Sequence, residues 1–194
     1  MKKITLLLCA AFFSVFSFAQ SPISLSYKST FDIDLSIDML TRLMNISTIN
    51  AELKGDFNGK KAIITEHIVN GQEVKTNTIP SYSPVSDSTV CVKAMSMMVS
   101  DKKIRMIIAI KDAVYSLKEL DFNDDGRYIL METELNTAVH QDIPIFAYTK
   151  GIETSTAQYC DLRDSKVHPK EWGKEFGMTR YIYYTISFTD SASK

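Results

Sequence analysis

Between residues 23 and 37 the chain keeps a single phase of alternation. Ile23, Leu25, Tyr27, Phe31, Ile33, Leu35 and Ile37 hold odd positions, with Ser29 their one polar member, while Ser24, Ser26, Lys28, Thr30, Asp32, Asp34 and Ser36 hold the even ones. A period of two sends successive side chains to opposite faces of a strand, and no helical phase fits it. One face is therefore dry and the other wet. At about 3.3 Å per residue such a ribbon would run for roughly 50 Å. That is well beyond common strand lengths, so it has to bend around a core. The expectation is a mainly β protein: a single curved antiparallel sheet, an open half-barrel or barrel-like meander, with one or two short helices.

What precedes that ribbon reads as an export signal. Lys2 and Lys3 stand before an apolar run over 4–18 that closes on Ser17-Phe18-Ala19, the small-x-small pattern of a cleavage site, so cleavage is expected after Ala19. The run is shorter than the ~20 residues a bilayer span requires. A lipoprotein reading through Cys9 meets Leu8 where a small residue is needed. The expected organisation is a signal peptide over 1–19, one β-rich domain over 20–188 and a disordered tail over 189–194, with no membrane span once the signal is removed. That places the product in the periplasm or outside a bacterial cell. Removing 19 of 194 residues leaves 175, and 20 of the 22 basic residues then face 23 acidic ones. So even a balance, without a basic cluster, speaks against a nucleic-acid partner. In an oxidising compartment the remaining cysteines, Cys91 and Cys160, are expected to pair, the alternative being two separate buried thiols.

Past the ribbon, Met39, Leu40, Leu43 and Met44 space like one short helical face that Asp38 could cap. Alternation resumes through Ile49, Ala51, Leu53, Gly55 and Phe57. Asn58-Gly59 follows and predicts a tight hairpin into a strand over 60–69, and Asn70-Gly71 predicts a second one toward 73–79. A proline- and serine-rich loop over 80–88 leads to three strands, 90–99, 103–110 and 113–120. A helix through Ile107, Ile110, Val114, Leu117 and Leu120 competes with them; β-branched residues and short polar breaks favour the strands. Tyr128 begins a further strand, and Pro144 suits its segment to a sheet edge. Trp172 and Phe176 share a face of a short helix that Gly177 stops. Apolar residues in both phases of the segment over 178–188 place it inside the sheet.

One motif carries possible chemistry. Asp121, Asn123 and Asp125, with Gly126 and Glu132, match the spacing of a twelve-residue calcium loop, which gathers hard oxygens around one point. Against it, Glu132 lies in a strand-like stretch where a helix is needed. Moreover, Leu120-Asp121-Phe122-Asn123 repeats the Leu53 to Asn58 theme of Asp-Phe-Asn before a glycine and a basic residue. A polar hairpin turn is the simpler reading, with calcium as the one cofactor the sequence could hold. His67, His140 and His168 show no metal spacing, and no nucleophile or phosphate-loop motif occurs. Asp87-Ser88-Thr89 and Asp190-Ser191-Ala192 fit the short acceptor pattern glycosylated in some exported bacterial proteins.

Met95, Met97, Met106 and Met131 fall in one region of the expected sheet and are candidates to line an apolar site, with core filling as the alternative. In pattern, though not in any motif, the chain resembles the open half-barrels of periplasmic lipid and lipoprotein carriers. The expectation is a non-catalytic cell-envelope protein that binds an apolar small molecule or an envelope protein on its sheet. The alternative is a structural or interaction module without a cavity.

Overall fold

The computed structural model describes residues 24–27, 39, 43–80, 84–110, 113–122, 127–130, 142–149, 162 and 167–190. Its strands are β1 (Ser24–Tyr27), β2 (Ile46–Lys54), β3 (Lys60–Asn70), β4 (Glu73–Pro80), β5 (Thr89–Ser100), β6 (Lys103–Ile110), β7 (Ala113–Asp121), β8 (Arg127–Leu130), β9 (Ile143–Thr149) and β10 (Arg180–Asp190). A 3-10 turn, Pro169–Glu171, runs into the short helix α1 (Trp172–Phe176). The mainly antiparallel β architecture follows the sequence pattern. The single curved sheet does not: there are two five-stranded sheets, ordered β1-β2-β5-β6-β7 (sheet A) and β4-β3-β10-β9-β8 (sheet B), and neither closes into a barrel.

Period-two burial explains each strand. Ile49, Ala51 and Leu53 on β2, Val90, Val92 and Ala94 on β5, and Ile104, Met106 and Ile108 on β6 join Ala62, Ile64, Ile182, Tyr184, Ile186 and Phe188 of sheet B in one core. Two sheets each with one apolar face bury both by stacking. The opening alternation is represented by β1, an edge strand whose register sets Leu25 opposite Leu53 and Tyr27 opposite Ala51; residues 28–38 lie outside the described part. Met39 and Leu43 are helical, and Asn45, at φ 50°, turns the chain into β2.

The Asn58-Gly59 turn corrects the meander. β2 pairs with β1 and β5, and β3 pairs with β4 and β10, so the chain here leaves sheet A for sheet B and makes no hairpin. Phe57 is buried and stacks on Phe188 of sheet B, with centroids 4.1 Å apart. The loop that follows β4 pins the corner: Gly59 N–H donates to the Val85 carbonyl at 2.8 Å and Val85 N–H to the Lys60 carbonyl at 2.7 Å. The second Asp-Phe-Asn behaves alike. The chain leaves sheet A at Asp121 and enters sheet B at Arg127, and buried Phe122 meets Tyr148 edge-on at 5.7 Å. Asn70-Gly71 does form the expected hairpin, with Asn70 opposite Glu73 and Gly71 at φ 62°. The three strands expected between 90 and 120 are β5, β6 and β7, so the competing helix is set aside.

Pro144 is not at an edge, because β9 lies between β10 and β8 with every residue buried. Pairing with β10 steps from Tyr184–Phe146 to Thr185–Pro144, and this bulge accommodates a residue that has no N–H to give the ladder. β10 is interior and covered on both faces as its sequence requires. It also runs on through Thr189 and Asp190, two residues assigned to the tail, with Asp190 2.8 Å from Lys60 Nζ. The outer face of sheet B is covered by α1: Trp172, Met178, Tyr181, Tyr183, Val69, Ala147 and Leu162 form a second cluster. No helix among the described residues is long and apolar enough to cross a membrane.

Candidate functional site

On β3 the inward phase reads Ala62, Ile64, Glu66, Ile68, an apolar series broken by one carboxylate. Glu66 is fully buried. Tyr184 Oη, opposite it on β10, donates to Oε1 at 2.9 Å; Asn77 Nδ2, opposite it on β4, donates to Oε2 at 2.8 Å. From sheet A, Lys118 Nζ on β7 reaches the same Oε2. Tyr184 Oη also lies 3.5 Å from Met106 Sδ. A charge taken out of water must be paired and hydrogen-bonded, and these three donors meet that need. Ser96, beside Met106 on the inward face of β5, is buried with an Oγ that has no partner among the described residues. A polar band thus crosses the middle of the core and emerges between β4 and β7, where Lys118 is partly exposed.

Next to this seam is a cleft of about 240 Å³ lined by Ile68, Glu73, Lys75, Asp121, Phe122 and Arg180. It lies below the roughly 300–1,000 Å³ of ordinary ligand pockets and is ringed by charge. Lys75 pairs with Glu73 at 3.4 Å, and Arg180 donates to the Asp121 carbonyl at 2.8 Å with its guanidinium 4.9 Å from the Phe122 ring centre. The calcium-loop candidate Asp121 is therefore an exposed strand end whose carbonyl is already engaged; Asn123, Asp125 and Glu132 lie outside the described residues. No group of three or more His, Cys, Asp or Glu side chains is placed to hold a metal among the described residues.

On the outer face of sheet B the fold brings two of the scattered histidines to one tyrosine. His67 stacks on Tyr183 with centroids 4.2 Å apart and planes 5° apart, and His168 meets the same ring edge-on at 6.1 Å. His67 Nε2 lies 3.2 Å from Thr185 Oγ1, and His168 Nδ1 accepts the Lys170 N–H that caps the 3-10 turn. Burial holds both imidazoles below their ordinary pKa; Asp142 and Glu66 partly oppose this at His67, whereas Lys170 and His67 add to it at His168. Burial also pushes Tyr183 up to about 12. Thr185 is buried, so its hydroxyl is shut away from any substrate. His140 lies outside the described residues.

The outward face of sheet A differs. Register aligns Thr48, Met95, Ile107 and Leu117 across four strands, and Ile46 with Met97 in the next row. Leu117 is 63% exposed and Met95 39%, with Leu43 and Met44 exposed just before β2. Arg105 and Glu119 border the stripe, Nε to Oε1 at 3.2 Å, and the guanidinium holds the Glu119 carboxyl below its ordinary pKa. The methionines expected to converge are thus divided by the strand period. Met95 and Met97 face outward, Met106 is in the core, and Met131 lies outside the described residues. Cys91 is on this outward face opposite Glu52 and is a free cysteine among the described residues; Cys160, its expected partner, lies outside them.

Sequence reading missed Glu66, Asn77, Lys118 and Tyr184 as a group. The available signal was Glu66 itself, an acid on the dry phase of an otherwise apolar strand. No family model, no curated protein and no solved structure matches the chain.

Proposed function

We propose that this protein is an exported, non-catalytic component of the bacterial cell envelope that recognises a protein partner through the outward face of sheet A. The apolar stripe of Met95, Ile107 and Leu117, extended by Ile46 and Met97, is the observation that carries the reading. Contiguous apolar surface rimmed by charge is characteristic of interaction sites, whereas the equivalent face of sheet B lies under α1. A carrier holding its ligand between the sheets is supported less well, since side chains of both sheets fill that space. The export signal at residues 1–19 is the basis for the compartment.

A photoreactive amino acid at position 117 tests this in intact envelopes of the source cells, with position 174 on α1, also exposed, as control. The expected result is a discrete protein adduct at 117 that is absent at 174 and lost when Met95 is replaced by lysine. Equal labelling at both positions, or none at 117, would overturn it. An acyl lipid retained by the purified protein in native mass spectrometry would restore the carrier reading instead.

A further inference from the structure

Among the described strands β4 and β7 end their respective sheets and no backbone ladder joins them, so at this seam the two layers meet through side chains. Two nitrogens, Asn77 Nδ2 from β4 and Lys118 Nζ from β7, are held on the same oxygen of Glu66, while Tyr184 occupies the other oxygen. An amine, a carboxamide and a carboxylate that touches both are the components of amide exchange.

We propose that Lys118 and Asn77 become joined by an intramolecular amide bond, with Glu66 as the catalytic acid–base, covalently closing the β4–β7 seam. Glu66 takes a proton from the lysine ammonium, and the freed Nζ lone pair attacks Asn77 Cγ. The carboxyl group passes its proton to Nδ2 as it takes a second from Nζ. The Nζ–Cγ bond is then complete, the Cγ–Nδ2 bond breaks, and the nitrogen leaves as ammonia. Ammonia removes the last proton from Glu66, departing as ammonium and restoring the carboxylate. No oxidation state changes, and the protein supplies every reactant. Glu66 touches both reacting nitrogens and is also fully buried, so its proton exchanges with them in preference to solvent.

The test is peptide mapping of the full chain after trypsin. Acylated Lys118 resists cleavage, so the expected species joins residues 76–93 to residues 112–127 and is lighter by one ammonia than the two linear peptides together. Glu66→Gln should carry both residues unlinked, and Lys118→Arg should abolish the species. The wild-type map decides the matter even if a variant fails to fold. Separate linear peptides with cleavage after Lys118 would overturn the proposal. So would a water-loss link from Lys118 to Glu66, or full linkage in Glu66→Gln.

Discussion

A carboxylate with no exposed surface survives in a β-sandwich only if its lone pairs are satisfied, and at Glu66 the labour is divided between the sheets. Tyr184 and Asn77 flank it within sheet B, and Lys118 approaches from sheet A. Tyr184 Oη is itself buried, so removing it leaves one carboxylate oxygen without that donor and opens no path for water. Hydrogen bonds to charged groups contribute about 1.5–3 kcal/mol. Tyr184→Phe, which conserves the ring against Phe146 at 4.9 Å, is therefore expected to lower stability by about 2 kcal/mol in urea unfolding with the m-value unchanged. No loss would mean that Glu66 is solvated in some way the geometry does not show. In the sequence Glu66 was visible as a fault in a dry phase, but its partners were not, because Asn77 sits on a mostly exposed strand and Lys118 on one whose described side chains are exposed or half-buried.

At the scale of elements, strand existence was legible and strand partnership was not. The alternation through β2, β3, β5 and β6 is a local property; it located β3, β5 and β6 to within a residue, whereas β2, Ile46–Lys54, begins and ends three residues earlier than the alternation over 49–57. Asn58-Gly59 offers the same left-handed glycine, here at φ 73°, whether the chain folds back in its own sheet or climbs to the other. What decides is Phe57, whose ring is committed to Phe188 across the core. Pro144 misled for a related reason: a missing N–H suggests an edge, and only the β10 bulge makes an interior position tolerable. The C-terminal cover was the most transparent piece, since Trp172, Phe176 and Gly177 mark face and stop together. Trp172 is fully buried and its Nε1 donates to the Val167 carbonyl at 3.1 Å. Trp172→Ala leaves both a cavity and an unpaired carbonyl. A loss of about 3–5 kcal/mol is expected from large-to-small core changes of this kind, measured as a shift in urea midpoint. A loss under about 1 kcal/mol, the usual scale of surface substitutions, would show that the helix is loosely applied and that sheet B has two usable faces.

For the whole molecule, the pH profile of stability reports how that cover is attached. His67 and His168 face Tyr183 from β3 and from the entry to α1, with Asp142, Glu66, Glu171, Lys170 and Tyr181 as the charged or titratable neighbours that act on them or on the ring between them. Both imidazoles have folded pKa values below 6.5, so the unfolded chain binds protons that the folded one refuses. Stability is then complete above about pH 6.5 and falls as pH drops through the depressed folded values, flattening beneath them. The tyrosines act in the opposite direction. Burial raises Tyr181 above 10.0 and Tyr183 to about 12, so the unfolded chain ionises first and stability declines as pH rises from 10.0 toward 12. Between these limits a plateau is expected. Trp172, the single tryptophan, packs 5.6 Å from Tyr181 and makes intrinsic fluorescence a direct monitor of this interface. The midpoint temperature followed by fluorescence should fall from about pH 7.5 to about pH 5.5, and His67→Gln should flatten that acid limb without shifting the alkaline one. A midpoint that stays level or rises on acidification would mean that the imidazoles are satisfied as cations, and the neutral, stacked arrangement of His67 on Tyr183 could not then be what holds the cover in place.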